Sequence, residues 1–275
     1  MTTTAWTPIE GTPEEILERY PQPLEALAQR QVPAFVLRGI YPSDHCRALM
    51  ERFRERGLLH EPHETAAGKT RVDIGTSFGS HRLDREGFFA HAQQTRELFS
   101  TLFEGYRDPV RTMYDALARL APTKKVMTAH EPDGRQYGPA IVRIYHEELG
   151  HGPHYDSVAR RSKAFDYDVS RFKQQFAGVL CFQNSATAGG TGEPFLYNCQ
   201  GTPELQPKLV TEAFREHVAE NGIERVQVHL EPGDLYFFSS ENIHEVPDVV
   251  GDRPRAVLAS FFATSPDDDE IFVWS

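Results

Sequence analysis

The residues best suited to chemistry sit in the segment Arg143-Ile-Tyr145-His-Glu-Glu-Leu-Gly-His151-Gly-Pro-His154-Tyr-Asp156. An extended strand here runs into a Gly-bearing turn and then into His-x-Asp. Residues two apart on a strand face the same side, so the imidazole of His154 and the carboxylate of Asp156 can converge on one point. Taken alone the pair is weak evidence, because the chain holds 12 histidines and short patterns recur by chance. A second segment, Glu231-Pro-Gly233-Asp234-Leu-Tyr-Phe-Phe-Ser-Ser-Glu-Asn-Ile-His244, reads as a turn, a buried strand and a histidine on the next short strand. Beyond it, Gly251-Asp-Arg253-Pro-Arg255 is a turn that opens a further strand on an arginine. Two histidines and one carboxylate on one face form the facial ligand set of non-heme iron(II), which leaves positions open for a chelating cosubstrate and oxygen. Arg255, on the strand after His244, offers a guanidinium fork to the far carboxylate of such a cosubstrate.

These side chains need a β scaffold, and the chain from Lys124 onward supplies one. Short runs rich in Val, Ile, Tyr and Phe alternate with Gly/Pro/Asp turns. They predict strands over 125–129, 140–145, 177–182, 195–197, 225–230, 235–239 and 256–262, the spacing of a sandwich or barrel. One helix interrupts them, at about 207–220. The first half reads as mostly helical: short pieces between Thr12 and about residue 30, then helices over about 43–56, 87–103 and 108–120. A short strand is predicted over 34–37, and residues 57–85 show no clear period and read as loop. The predicted architecture is α+β with a mainly β core, covered by an N-terminal helical layer. No Pro/Gly/Ser linker separates the two parts, so 1–275 reads as one domain, helical over 1–123 and β over 124–275.

Composition narrows the function classes. With 29 Lys+Arg against 40 Asp+Glu the chain of 275 residues carries a net charge of −11, which argues against a nucleic-acid partner. Three cysteines, Cys46, Cys181 and Cys199, have neither zinc-ligand spacing nor an even count for a disulfide framework, which suggests a reducing compartment. Residues 1–6 lack a basic start and an apolar run, and no apolar stretch approaches a bilayer span, so a cytoplasmic protein without a membrane partner is expected. Oligomeric state is not encoded in any visible motif.

With those residues in that order, the sequence resembles the 2-oxoglutarate/Fe(II)-dependent oxygenases of the double-stranded β-helix, or jelly-roll, superfamily. Within it the chain is similar to the small freestanding enzymes that include the carbon halogenases acting on hapalindole-type indole alkaloids. Supporting features are Arg38-Gly39, the stretch from Gly134 to Arg143, Ala188-Gly189-Gly190, Gly233-Asp234-Leu235, Pro254-Arg255 and the terminal Trp274-Ser275. One departure matters: those halogenases carry Gly where this chain has Asp156, so the resemblance implies the ligand set of a hydroxylase. It implies Fe(II) held by His154, Asp156 and His244, with 2-oxoglutarate and O2 as cosubstrates and Arg255 on the 2-oxoglutarate carboxylate. Tyr145 is either a further hydrogen-bond donor to 2-oxoglutarate or a core tyrosine.

The neighbouring residues weigh differently. His151, three before His154, is poorly placed on the strand face, while His130, His146 and His229 read as surface or core histidines. Arg253 lies in the turn and is the weaker candidate. Gly189-Gly190 reads as a hairpin turn, since no phosphate-loop context surrounds it. Residues 157–173, charged and directly after Asp156, read either as a substrate lid or as a solvated loop. The expected outcome is hydroxylation, desaturation or cyclisation of a small molecule such as an amino acid or natural-product intermediate, in secondary metabolism. A cupin-like metal-dependent isomerase or binding module, and a protein or peptide hydroxylase, are the alternatives; an inward Arg255 argues against the first.

Overall fold

Side-chain caps start three of the helices described in the first half. In the computed structural model, which describes residues 5–60, 64–65, 68–81, 83–158, 165–185 and 192–275, the chain begins with β1 (Ile9–Glu10), α1 (Pro13–Arg19), α2 (Pro23–Ala28) and β2 (Ala34–Leu37). It continues through α3 (Ser43–Glu55), β3 (Glu64–Thr65), β4 (Gly68–Lys69), β5 (Val72–Ile74), α4 (Arg85–Leu102) and α5 (Pro109–Leu120). Thr12 and Glu15 close a reciprocal capping box on α1, and Asp84 and Asp108 cap α4 and α5 through their carboxylates.

The second half comprises β6 (Lys125–Thr128), β7 (Ile141–Tyr145), β8 (His151–His154), β9 (Gln174–Gln183), β10 (Phe195–Gln200), α6 (Ala213–Glu220), β11 (Arg225–Gln227), β12 (Leu235–Ser239), β13 (Asn242–Val246), β14 (Arg255–Thr264) and β15 (Glu270–Trp274). Two sheets result. The larger follows the order β1-β2-β12-β9-β14-β15-β6, with β7 also on β14 and β5 on β7; the smaller is β11-β10-β13-β8. This is the expected mainly β, jelly-roll class of fold.

Alternation along the strands decides what each face does. One face of the large sheet, including Phe35, Leu180, Phe237, Leu258 and Phe262, packs against α3, α4 and α5 through Leu49, Phe53, Leu102, Met113 and Leu117. The other face, including Val179, Tyr236, Phe238 and Val257, packs against Leu196 of the small sheet. The site lies on that second, inner face.

Several expectations need correction. The strand expected over 34–37 is β2, and it is hydrogen-bonded between β1 and β12, so the first part also lends a strand to the large sheet. Within 57–85, expected as loop, Val72 and Ile74 are buried in β5, which pairs with β7, and Phe78–His81 forms a 3-10 turn. A three-residue strand is too short to show a period. The predicted helix at 207–220 begins only at Ala213, since Lys208 and Thr211 make turn-type bonds to Leu205 and Lys208. Residues 165–173 are not a solvated loop: Tyr167, Val169 and Phe172 are buried with Phe88, Tyr137 and Trp274. Residues 159–164 of that segment, and the Ala188-Gly189-Gly190 turn, lie outside the described residues. No described helix is long and apolar enough to cross a membrane.

Candidate metal centre

Strands β8 and β13 are antiparallel neighbours, and their register sets His154 directly opposite His244. Asp156 follows two residues after His154. Its backbone N–H donates to the carbonyl of Ser240 at 2.8 Å, and the Ser240 hydroxyl donates back to the Asp156 carbonyl at 3.2 Å. The turn between β12 and β13 thus fixes the carboxylate against both histidines.

Each imidazole is oriented by its own strand. Nδ1 of His154 lies 2.7 Å from the Gly152 carbonyl, and Nδ1 of His244 lies 2.8 Å from the Asn242 carbonyl. A carbonyl only accepts, so both Nδ1 atoms carry the proton and both Nε2 atoms present lone pairs. Those Nε2 atoms each stand 3.7 Å from Oδ2 of Asp156, beyond hydrogen-bond range. The ligand atoms of all three residues lie within 4.8 Å of one another. Burial, together with the nearby His244 and His151, holds His154 well below its usual imidazole range, so its ring is neutral at neutral pH. Three converging lone-pair donors without a shared proton fit a divalent cation, and two imidazoles with one carboxylate suit iron(II).

The predicted cosubstrate residues stand beside this cluster. Arg255 opens β14 opposite Tyr145 of β7, with its guanidinium carbon 5.7 Å from the Tyr145 ring centre. Its side chain is 2% exposed, and its Nε has no hydrogen-bond partner among the described residues. Gly192, at φ +80°, passes so close that a Cβ there would meet Cδ of Arg255 at 2.8 Å, so the chain closes over the arginine only as glycine. A cavity of about 60 Å³ is bordered by Tyr145, Arg255, His154, Asp156 and His244 together. Arg253, by contrast, is exposed in the turn before β14.

His151 is nearer to the centre than its spacing suggests. A register shift between His244 and Val246 displaces β8 against β13, and the His151 ring stacks on that of His154 with centroids 3.5 Å apart. It stays outside the three-residue cluster, and burial, then the positive charge of Arg71, pushes its pKa down to about 4. His229 is largely exposed against Glu193, and His130 rests on Phe272.

Sequence reading missed Arg143 and Arg71 as neighbours of the centre. Arg143 lies two residues before Tyr145 on β7 and shares its inward face, a signal the strand period contained. Arg71 comes from the segment taken for loop. Both border a second cavity, of about 290 Å³, that reaches His151 and Asp156, and Arg143 borders the smaller cavity as well.

The family described as "Carrier-protein-independent halogenase WelO5" matches residues 12–275 of the chain. No curated protein matches it. Among solved structures, an N-substituted L-amino acid dioxygenase from Burkholderia ambifaria AMMD is 17% identical, with 92% of this chain and 90% of that chain covered and a TM-score of 0.54. The same dioxygenase in complex with alpha-KG gives a TM-score of 0.55 at the same identity and coverage. These likenesses show the fold.

Proposed function

The chain belongs to the family of the carrier-protein-independent halogenase WelO5, and from that premise we propose that it is a 2-oxoglutarate-dependent iron(II) dioxygenase of the hydroxylase type, with His154, Asp156 and His244 as the iron ligands. The observation that carries this reading is the convergence of two Nε2 lone pairs and one carboxylate beside a buried arginine whose Nε has no hydrogen-bond partner among the described residues. When bound, iron(II) supplies the oxidant by coupling reduction of O2 to decarboxylation of 2-oxoglutarate. The overall balance is R–H + O2 + 2-oxoglutarate giving R–OH + succinate + CO2.

The chain's own residues perform the positioning. The backbone carbonyls of Gly152 and Asn242 hold both imidazoles in the tautomer that presents Nε2. Asp156 supplies a negative charge that offsets part of the cation and fills the position that halogenases of this group leave as glycine. Arg255 receives the far carboxylate of 2-oxoglutarate as a two-pronged donor, and Tyr145, opposite it, borders the same cavity. Phe238, edge-on to His244 with ring centroids 5.0 Å apart, and Tyr236 wall the cavity against water. The substrate is a small molecule such as an amino acid or natural-product intermediate, which is hydroxylated, desaturated or cyclised.

The test has three readouts. The unmodified chain should bind one iron(II), convert 2-oxoglutarate to succinate and, with chloride or bromide abundant, give products without halogen by mass spectrometry. A halogenated product would show that Asp156 leaves its ligand position during turnover and would defeat the hydroxylase reading.

A further inference from the structure

The cavity of about 290 Å³ beside the metal cluster has walls that define the charge of what it holds. Two guanidiniums, Arg71 and Arg143, line it. Arg71 is paired with Asp73, Nε to Oδ1 at 2.9 Å, and Asp73 stands opposite Arg143 in the register of β5 and β7. That carboxylate offsets one of the two positive charges. The acid on the wall itself, Asp156, belongs to the metal cluster. Among the side chains of the wall, one guanidinium charge therefore remains without a counterion.

Unpaired donors collect at the same place. Arg143 Nε, Trp274 Nε1 and Ser275 Oγ are all buried without a hydrogen-bond partner among the described residues, and all three side chains line this cavity. Three buried donors on one wall favour a ligand that carries acceptors. Apolar rings, Phe78, Phe261 and the indole of Trp274, form the rest of the lining.

We propose that this cavity is the substrate pocket and that it selects a singly charged carboxylic acid with an apolar, ring-sized body, its carboxylate taken by Arg143 and Arg71 and its body lying against the aromatic wall. This rests on the reading of the adjacent cluster as the oxidising centre. A dianionic phosphate fits less well, because only one charge is left to balance, and a neutral substrate would offer Arg143 an acceptor but no counter-charge.

The experiment is a calorimetric titration of the full chain, loaded with iron(II) and 2-oxoglutarate under nitrogen and also unloaded, using phenylacetate, phenylacetamide and benzyl phosphate as probes. Phenylacetate should bind at least about tenfold more tightly than the isosteric amide. Arg143→Gln and Arg71→Gln should each remove most of that preference, and Arg143→Lys should keep part of it, which separates lost charge from lost fold. The 2-oxoglutarate affinity of Arg71→Gln should stay within about threefold of the unmodified chain, whereas Arg255→Gln loses it. The proposal is overturned if the acid binds no better than the amide, if benzyl phosphate binds more tightly than phenylacetate, or if the preference survives both Gln variants and falls only in Arg255→Gln. It is equally overturned if Arg71→Gln loses 2-oxoglutarate as Arg255→Gln does. Failure of the iron reading shows elsewhere: a chain that takes up neither iron nor 2-oxoglutarate still sorts acid from amide in the unloaded titration.

Discussion

The two faces of the large sheet are built from alternate residues of the same strands, yet they are finished differently. On β12 the outward Leu235 and Phe237 are fully buried under the helices, and on β14 Leu258 and Phe262 do the same. The inward residues of β7 and β14 include Arg143, Tyr145 and Arg255, and two of these keep a buried nitrogen without a partner. An outward residue has met its partners once the chain is folded. An inward one has not, and its unpaired donors are stabilised only when a ligand arrives. Stability and chemistry are thus divided by the period of two along a strand, and substitutions on the two faces should separate them.

The largest effect falls at the inner face. His154→Ala or His244→Ala should abolish iron binding and succinate formation together, since each removes one of three protein ligands, while the apolar outer face leaves the fold standing. Asp156→Gly should weaken iron binding and lose most oxygenation. Metal content by elemental analysis, alongside circular dichroism, reads both. Near-normal iron content in either histidine variant would mean the cluster is misassigned.

The reverse break belongs to the outer face. Phe237→Ala empties a fully buried site where the ring packs edge-on to Phe262 at 5.7 Å, and should cost roughly 3–5 kcal/mol of stability. Iron bound per folded chain should stay unchanged, as measured by urea unfolding beside metal analysis. A loss of iron without a loss of stability would contradict the division of faces. Arg255→Ala comes next: it should weaken 2-oxoglutarate binding by about 2–5 kcal/mol if that pairing is desolvated, with Arg253→Ala almost silent because its side chain is exposed. Calorimetry on the two variants should give clearly different affinities.

What could be read from the sequence follows the same division. His154 and Asp156 stood out because two ligand types recur two residues apart, and His244 and Arg255 because each follows a readable turn and strand; their meeting across two sheets depends on pairing that alternation along one strand does not contain. The strands themselves were visible wherever four apolar and aromatic residues ran together, as in Val179 to Phe182 of β9, Leu235 to Phe238 of β12 and Ala256 to Ala259 of β14. Arg71 was not visible, because its place depends on β5 pairing with β7, a contact between distant segments that three residues cannot announce. The position of His151 depends on a register shift in β8, and spacing along an ideal strand cannot foresee an irregular one. Tyr167, Val169 and Phe172 were masked by the charges between them, although each finds the aromatic cluster around Phe88.

The smallest effect is expected where the helical layer meets the rim of the inner cavity. His91 of α4 and His81, at the end of the turn that carries Phe78, share a hydrogen bond of 3.0 Å between Nδ1 and Nε2. One proton serves both rings. Burial, and then the charge His81 would carry, keep the pKa of His91 below its ordinary value of 6.5. The folded chain therefore favours neutral His91, while the unfolded chain takes up the proton near 6.5. Above that pH the contribution to stability is fully present; below it the unfolded state binds more protons, and stability falls as pH falls. His91→Gln keeps a hydrogen-bonding group and removes the titration, so the variant should match the parent at about pH 8 and lose less stability than the parent at about pH 5. Urea midpoints at the two pH values measure the difference, in metal-free protein so that iron release does not enter. An unchanged acid slope would assign the sensitivity to the inner face instead, where His151 and His154 are also held neutral by burial.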